Sequence, residues 1–224
     1  MRRLFFGGIF LHGFFGVDGP FYKLGSVLFD IMVLSIVWFI VSLPIITIGA
    51  STTALYYAAT LRLTERERSP VRDFFRGFKN NFKTATLAFV TLATIAAVFI
   101  INLNLLTSSE TFEVSPLIKP VMLTLQIFFI TEGVFVTAYI FPLLSRFDLK
   151  YPDLFKTALR LANKHLLTSL ICVLLFAFTL FTSEITGIFT AVAPGFYCYA
   201  SAYFLLKVFK KYKPEIIDGD QANV

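Results

Sequence analysis

Long apolar stretches separated by short charged segments dominate the chain. A helix that crosses a membrane needs about 20 predominantly apolar residues. Six segments approach that length and composition: residues 24–43, 45–61, 84–106, 117–144, 165–182 and 185–206. The pattern predicts an all-α fold, a polytopic transmembrane helical bundle in which residues 1–224 form a single membrane domain.

The first two segments are joined at a helix-breaking motif. Its members are Pro44, Thr47, Gly49 and Ser51. A proline followed by glycine and small hydroxyl residues is typical of a tight outer turn between two spans, because glycine adopts conformations that other residues avoid. The alternative is one span followed by a broken, re-entrant piece, as transporters use to bind ions and substrates. Five or six crossings are therefore open, and we favour six.

Composition places the chain in the membrane. Hydrophobic residues make up 57% and charged residues only 15%, with a mean hydropathy of +0.76, whereas soluble domains carry about 25% charged residues. These values argue against a soluble enzyme, and the chain has no basic, aromatic-interleaved segment that would bind nucleic acid. The net charge of +6 is better explained by topology, since basic residues remain on the cytoplasmic side.

Lysine and arginine orient the bundle. They cluster in segments 62–83 and 145–164 and in the tail 207–224. The connection 107–116 contains no lysine or arginine, and its only charged residues are Glu110 and Glu113. The positive-inside rule therefore places the basic segments and the C-terminus in the cytoplasm. Residues 1–23 carry a Phe-rich stretch without a cleavage site, and we expect them to lie along the membrane interface.

Both basic loops contain an amphipathic segment, and we predict two interfacial elbow helices, one within 62–83 and one within 145–164. Ser69-Pro70 and Pro152 provide helix-start signals. In the first elbow, four phenylalanines recur at helical spacing, opposite Lys79 and other basic residues, as in a helix lying on anionic lipid. The phenylalanines are Phe74, Phe75, Phe78 and Phe82. The sequences entering the two elbows, 53–62 and 137–146, echo each other and suggest a degenerate parallel repeat.

Polar side chains inside apolar segments are candidates for function, because they are costly in hydrocarbon. The candidates are Glu132, Asp30, Asn102 and Gln126. Glu132, near the centre of its span, fits either a proton, cation or substrate site or a structural interhelical hydrogen bond. For Asp30 we favour a solvated carboxylate near the helix start, and for the two amides interhelical hydrogen bonds.

The sequence offers no catalytic set. Cys172 and Cys198 read as buried free thiols, and His12 and His165 are isolated, so neither a metal site nor a cofactor is expected. A phosphate-binding glycine loop, paired carboxylates and a Ser–His–Asp arrangement are also missing from the sequence. We therefore expect a non-enzymatic protein.

The motif LPIITIGAS at 43–51, the ALYY at 54–57 and the loop DFFRGFKNNFK at 73–83 resemble the YesL-like family of small bacterial membrane proteins. Asn81 belongs to this loop. The resemblance implies an integral protein of the bacterial cytoplasmic membrane, associated with carbohydrate uptake and without an established biochemical activity.

Two functions follow as expectations. The first is an accessory or interaction component of a membrane system such as carbohydrate uptake, whose partners are the lipid bilayer and other membrane proteins. The alternative is a small transporter or channel with a polar path near Glu132 and the helix break at Pro44–Ser51.

Overall fold

The computed structural model describes residues 20–64, 69–107 and 118–221, and these residues form helices and short connections without any strand. Residues 1–19 of the predicted interfacial segment 1–23, with His12, and the acidic connection with Glu110 and Glu113 lie outside the described residues, whereas residues 20–23 form the first turn of a helix. The all-α prediction is confirmed for the part of the chain that is described.

Seven α-helices follow one another in these ranges. They are α1 (Pro20–Val41), α2 (Ile48–Thr64), α3 (Pro70–Thr107), α4 (Ile118–Arg146), α5 (Tyr151–Lys164), α6 (Leu166–Thr186) and α7 (Ala193–Gln221). Short 3-10 helices at Ile45–Thr47 and Ile188–Ala191 complete the two tight turns. At the second turn Gly187 has a φ of 56°, a left-handed conformation that favours glycine.

Four of the described helices are long and apolar enough to cross a membrane: α1 from Leu24 to Val41, α3, α4 and α6. This agrees with a multi-pass membrane protein. The helix α2 has only 17 residues, and α7 carries four lysines from its midpoint at Lys207 onward. The count of five or six crossings stays a prediction.

The first elbow differs from the prediction of a separate interfacial helix. Residues 70–83 form the beginning of α3, which runs unbroken for 38 residues through the predicted span 84–106. Neither proline nor glycine occurs after Gly77 in this helix, so nothing in the sequence interrupts the backbone hydrogen bonds there. By contrast, α5 is a separate amphipathic helix with a proline in its first turn. Its predicted place at the membrane interface stays a prediction.

The core forms around α2, which packs against α3, α4 and α7. Its buried side chains are mostly small, including Ala50, Ala54 and Ala58. A Cβ at Gly49 would lie 2.5 Å from the carbonyl oxygen of Ala85, so glycine is what permits this close approach of α3. Small residues at contacts are how membrane helices approach closely.

Candidate functional site

The carboxylate of Asp30 is buried, with 7% of the residue exposed. Arg62, at the end of α2, donates from Nε to its Oδ2 at 2.7 Å and also reaches the hydroxyl of Ser26. The expectation of a solvated carboxylate is therefore wrong. The reason is that α2 runs antiparallel to α1 and places the guanidinium of Arg62 beside Asp30. This positive charge compensates the buried carboxylate.

Glu132 is half-buried on α4 and accepts a hydrogen bond of 2.5 Å from Nδ2 of Asn163 on α5. The Asn163 amide also lies 3.2 Å from the carbonyl oxygen of Leu159 in its own helix. This contact joins two helices, as the structural interpretation of Glu132 requires. It does not test whether Glu132 binds a proton, a cation or a substrate.

The two amide candidates lie in the pair formed by α3 and α4. Gln126 is buried and donates from Nε2 to the carbonyl oxygen of Phe99 at 2.7 Å, which is the expected interhelical hydrogen bond. Asn102 is exposed on α3. The four polar candidates therefore do not share one site: the hydrogen bonds recorded for Asp30, Glu132 and Gln126 go to different partners on different helices.

The helix-breaking motif forms a compact turn that ends one helix and starts the next. Pro44 opens the 3-10 helix, and Oγ1 of Thr47 lies 2.6 Å from the carbonyl oxygens of Val41 and Pro44. The buried hydroxyl of Ser51 is 2.5 Å from that of Ser42. The antiparallel α1–α2 pair agrees with the tight turn that the sequence favoured. The hydroxyls of Thr47 and Ser51 form hydrogen bonds within the turn.

The predicted elbow residues do not share one lipid-facing side. Phe74 is fully buried in the core, whereas its neighbour Phe75 is 51% exposed. The remaining members are the half-buried Phe78, the exposed Phe82 and Lys79, and Asn81, whose Nδ2 donates to the carbonyl oxygen of Gly77. The assignment of Phe74 to the lipid side is therefore wrong. It fails because α2 covers this face of α3, with the side chain of Tyr57 lying directly against Gly77.

His165 lies between α5 and α6, beside the ring of Tyr212, with ring centroids 5.3 Å apart. Burial, followed by the positive charges of Lys211 and Lys164, lowers the pKa of His165 below its usual 6.5. Among the described residues no three His, Cys, Asp or Glu side chains are grouped as a metal site would need. Both cysteines are free and buried.

A cavity that the sequence analysis did not anticipate lies near the two tight turns. It has a volume of about 630 Å³ and is lined by residues of α1, α2, α6 and α7 and of the second turn. Helix α7 contacts each of the other three lining helices, α1, α2 and α6. The lining includes Trp38, Tyr56, Phe176 and Tyr197. Its lining comes from four helices and a turn, so no local pattern in the sequence marks it.

Residues 31–103, about a third of the chain, match a protein family described as "Protein of unknown function, DUF624". The match extends from α1 through the turn and α2 into α3. No curated protein and no solved structure gives a significant match to the chain. The chain is thus similar, from α1 to α3, to an uncharacterised family.

Proposed function

We propose that this protein is a non-enzymatic accessory component of a bacterial membrane system, which binds another membrane protein through the hairpin of α3 and α4. Carbohydrate uptake is the kind of system that the YesL-like resemblance suggests. The proposal includes the cell membrane as the location and a cytoplasmic C-terminus, both supported by the distribution of basic residues.

The observation that carries the proposal is the narrow contact within this hairpin. From residue 93 to the end of α3, every residue is exposed except Phe99, Leu103 and Leu106, which recur at helical spacing. On α4, the less exposed positions between 118 and 131 also recur at helical spacing and include Gln126. Within residues 93–107 and 118–131, each helix therefore contacts the other along one seam and leaves the rest of its surface uncovered.

The uncovered surface of α3 suits another transmembrane helix. Ala93 and Ala97 lie four residues apart and both are exposed, so they form the small-xxx-small pattern at which membrane helices pack closely. They are flanked by large exposed apolar residues, among them Val98 and Ile101. The backbone of a partner helix could approach α3 closely at the alanines, and its side chains would make van der Waals contacts with the residues around them.

The experiment replaces the small side chains by large ones. Ala97→Leu, alone and with Ala93→Leu, blocks close approach of a partner helix without touching the seam to α4. The matched control is Ala177→Leu, which enlarges an exposed alanine on the candidate span α6. Each variant is purified from native membranes in mild detergent, and the associated proteins are identified by mass spectrometry.

We expect a stoichiometric transport component to co-purify with the native chain and with the Ala177→Leu variant, and to be lost from the α3 variants. Retention of that component by the doubly substituted α3 variant would overturn the proposed surface. Purification of the native chain without any partner would overturn the accessory function itself.

The alternative of a small transporter has less support. It requires a polar path that connects Glu132 with the turn at Pro44–Ser51, yet within the described residues no recorded hydrogen bond joins the two. The polar groups of the turn bond to one another or to nearby backbone.

A further inference from the structure

The cavity between α1, α2, α6 and α7 is the feature that the docking proposal leaves unused. Its volume of about 630 Å³ lies within the range of roughly 300–1,000 Å³ that small-molecule sites occupy. It is separate from the α3–α4 seam, since neither α3 nor α4 contributes a lining residue.

The polar groups in its wall mostly have partners within the protein. Thr179 donates from Oγ1 to the carbonyl oxygen of Leu175 at 2.7 Å, and Ser183 donates to that of Thr179 at 2.8 Å. The indole of Trp38 donates to Oγ1 of Thr52 at 3.2 Å, and the hydroxyl of Tyr56 is paired with that of Ser201. With these groups occupied, the wall offers mainly apolar and aromatic surface to a ligand.

The cavity is bordered by side chains that are exposed on two candidate membrane spans. Phe39 of α1 is 39% exposed, and Phe176 and Leu180 of α6 are 49% and 53% exposed. If the two spans cross the bilayer as their length and composition suggest, we expect these side chains to face hydrocarbon. A ligand would then reach the cavity sideways from the bilayer.

Glu184 introduces a preference for the charge of the ligand's headgroup. This exposed residue lines the cavity near the end of α6, next to the turn at Gly187. A carboxylate there repels an anionic headgroup and attracts an ammonium group. The apolar body of the cavity and its acidic edge together match an amphiphile with a long apolar tail and a primary ammonium in its headgroup. The N–H groups of a primary ammonium donate to the carboxylate, whereas the quaternary ammonium of phosphatidylcholine has none to donate.

We propose that this cavity binds the acyl chain of a bilayer phospholipid, with Glu184 selecting zwitterionic phosphatidylethanolamine over anionic phosphatidylglycerol. Aromatic side chains then surround the tail, and the carboxylate lies near the ammonium of the headgroup. The bound lipid fills the space between α1, α2 and α6 over α7.

Trp38 provides the measurement, because it lines the cavity and is the only tryptophan of the chain. The purified full-length protein is reconstituted into phosphatidylcholine vesicles that contain a small, equal fraction of either phospholipid with brominated acyl chains. Bromine quenches indole fluorescence on near contact. Binding in the cavity produces more quenching than the fraction of brominated lipid in the bulk bilayer accounts for.

Two substitutions on α6 distinguish quenching by lipid in the cavity from quenching by bulk lipid. Thr179→Phe fills the cavity, and Leu174→Phe, at an exposed position outside the lining, adds the same ring to the lipid-facing surface. We expect the excess quenching by brominated phosphatidylethanolamine to disappear in Thr179→Phe and to persist in Leu174→Phe. Ser183→Phe replaces the first variant if gel filtration shows that Thr179→Phe is misfolded.

Glu184→Gln tests the headgroup preference. We expect this variant to raise the quenching by brominated phosphatidylglycerol to the level of phosphatidylethanolamine. Quenching that follows the bulk fraction for both lipids, or that Thr179→Phe leaves unchanged, would overturn the lipid site. Excess quenching that is equal for the two lipids in the native protein would overturn the role of Glu184.

Discussion

Nε of Arg62 donates to Oδ2 of Asp30 at 2.7 Å and thereby joins the middle of α1 to the end of α2. The tight turn at Pro44 connects the end of α1 to the beginning of α2. The α1–α2 pair is thus held at two places, by the covalent connection and by a charged hydrogen bond, the stronger kind.

Removal of one member of the Asp30–Arg62 ion pair should destabilise the fold strongly. Asp30→Ala removes the buried carboxylate that accepts from the guanidinium of Arg62, and breaking a buried ion pair typically costs about 3–5 kcal/mol. Denaturant titration in detergent, followed by the fluorescence of Trp38, measures the free energy of unfolding. Asp153→Ala is the control, because Asp153 and Lys156 form a loose pair at 3.8 Å in which the lysine side chain is 73% exposed. We expect at most about 0.5 kcal/mol for the control; equal costs for both variants would contradict the importance of burial.

Gly49 and Gly133 provide a second comparison, between a crowded and an open glycine. Gly49→Ala places a Cβ 2.5 Å from both the carbonyl oxygen of Ala85 and the Cβ of Phe89, whereas a Cβ at Gly133 meets nothing within 4 Å. We expect Gly49→Ala to cost about 1–3 kcal/mol, because α2 and α3 must move apart. Gly133→Ala should be neutral or stabilise by up to about 1 kcal/mol, since alanine is the better helix former. A stable Gly49→Ala variant would show that the helices separate without penalty.

Much of the backbone follows from local signals, but contacts between helices do not. The pattern of apolar residues and the breaker at Pro44 and Gly49 predicted the first turn and the bounds of α1, α2, α4 and α6 to within a few residues. By contrast, α3 begins at Pro70, well before its predicted span 84–106, and α7 (Ala193–Gln221) begins and ends later than the predicted span 185–206. Asp30 and Arg62 are 32 positions apart, and no local pattern shows which face of α1 meets α2. The cavity could not be predicted from local patterns either, because its lining comes from four helices.

The misassignment of Phe74 has a physical reason of its own. Hydrophobic spacing identifies an apolar face of a helix, but lipid and protein interior are both apolar, so spacing cannot distinguish them. In the structure the face with Asp73, Phe74 and Gly77 is buried, whereas Phe75 and Phe82 are exposed. The difference arises only when α2 packs against α3.

Phe74 and Phe75 allow this distinction to be measured with adjacent residues of one type. Phe74→Ala removes a fully buried ring and should cost about 3–5 kcal/mol, the usual range for phenylalanine in a core. Phe75→Ala should change the free energy of unfolding by less than about 0.5 kcal/mol, since half of that residue is exposed. Denaturant titration of the two variants checks both values. A larger loss for Phe75→Ala would place its ring, and not that of Phe74, in the core.

Glu132 should stabilise the contact between α4 and α5 through its side-chain oxygen. Glu132→Gln keeps an oxygen that accepts from Asn163, so we expect the variant to fold with a small loss. Glu132→Leu removes the acceptor, and a double-mutant cycle with Asn163→Leu should give a coupling of about 0.6–1.7 kcal/mol, the range for hydrogen bonds between membrane helices. A coupling of zero would show that the hydrogen bond adds nothing to stability and would contradict the structural interpretation of Glu132.

His165 should make the stability of the protein depend on pH. Its pKa in the folded protein is lowered below 6.5, first by burial and then by Lys211 and Lys164, so the unfolded chain binds the proton more readily. The free energy of unfolding should therefore fall as the pH decreases below about 6.5 and should be insensitive to this group above about pH 7.5. Carboxylates also titrate at low pH, and we compare the native chain with His165→Phe, which keeps an aromatic ring beside Tyr212. The expected result is a smaller decrease of the thermal midpoint between about pH 7 and pH 5.5 in His165→Phe, whereas parallel pH profiles of the two proteins would contradict a lowered pKa.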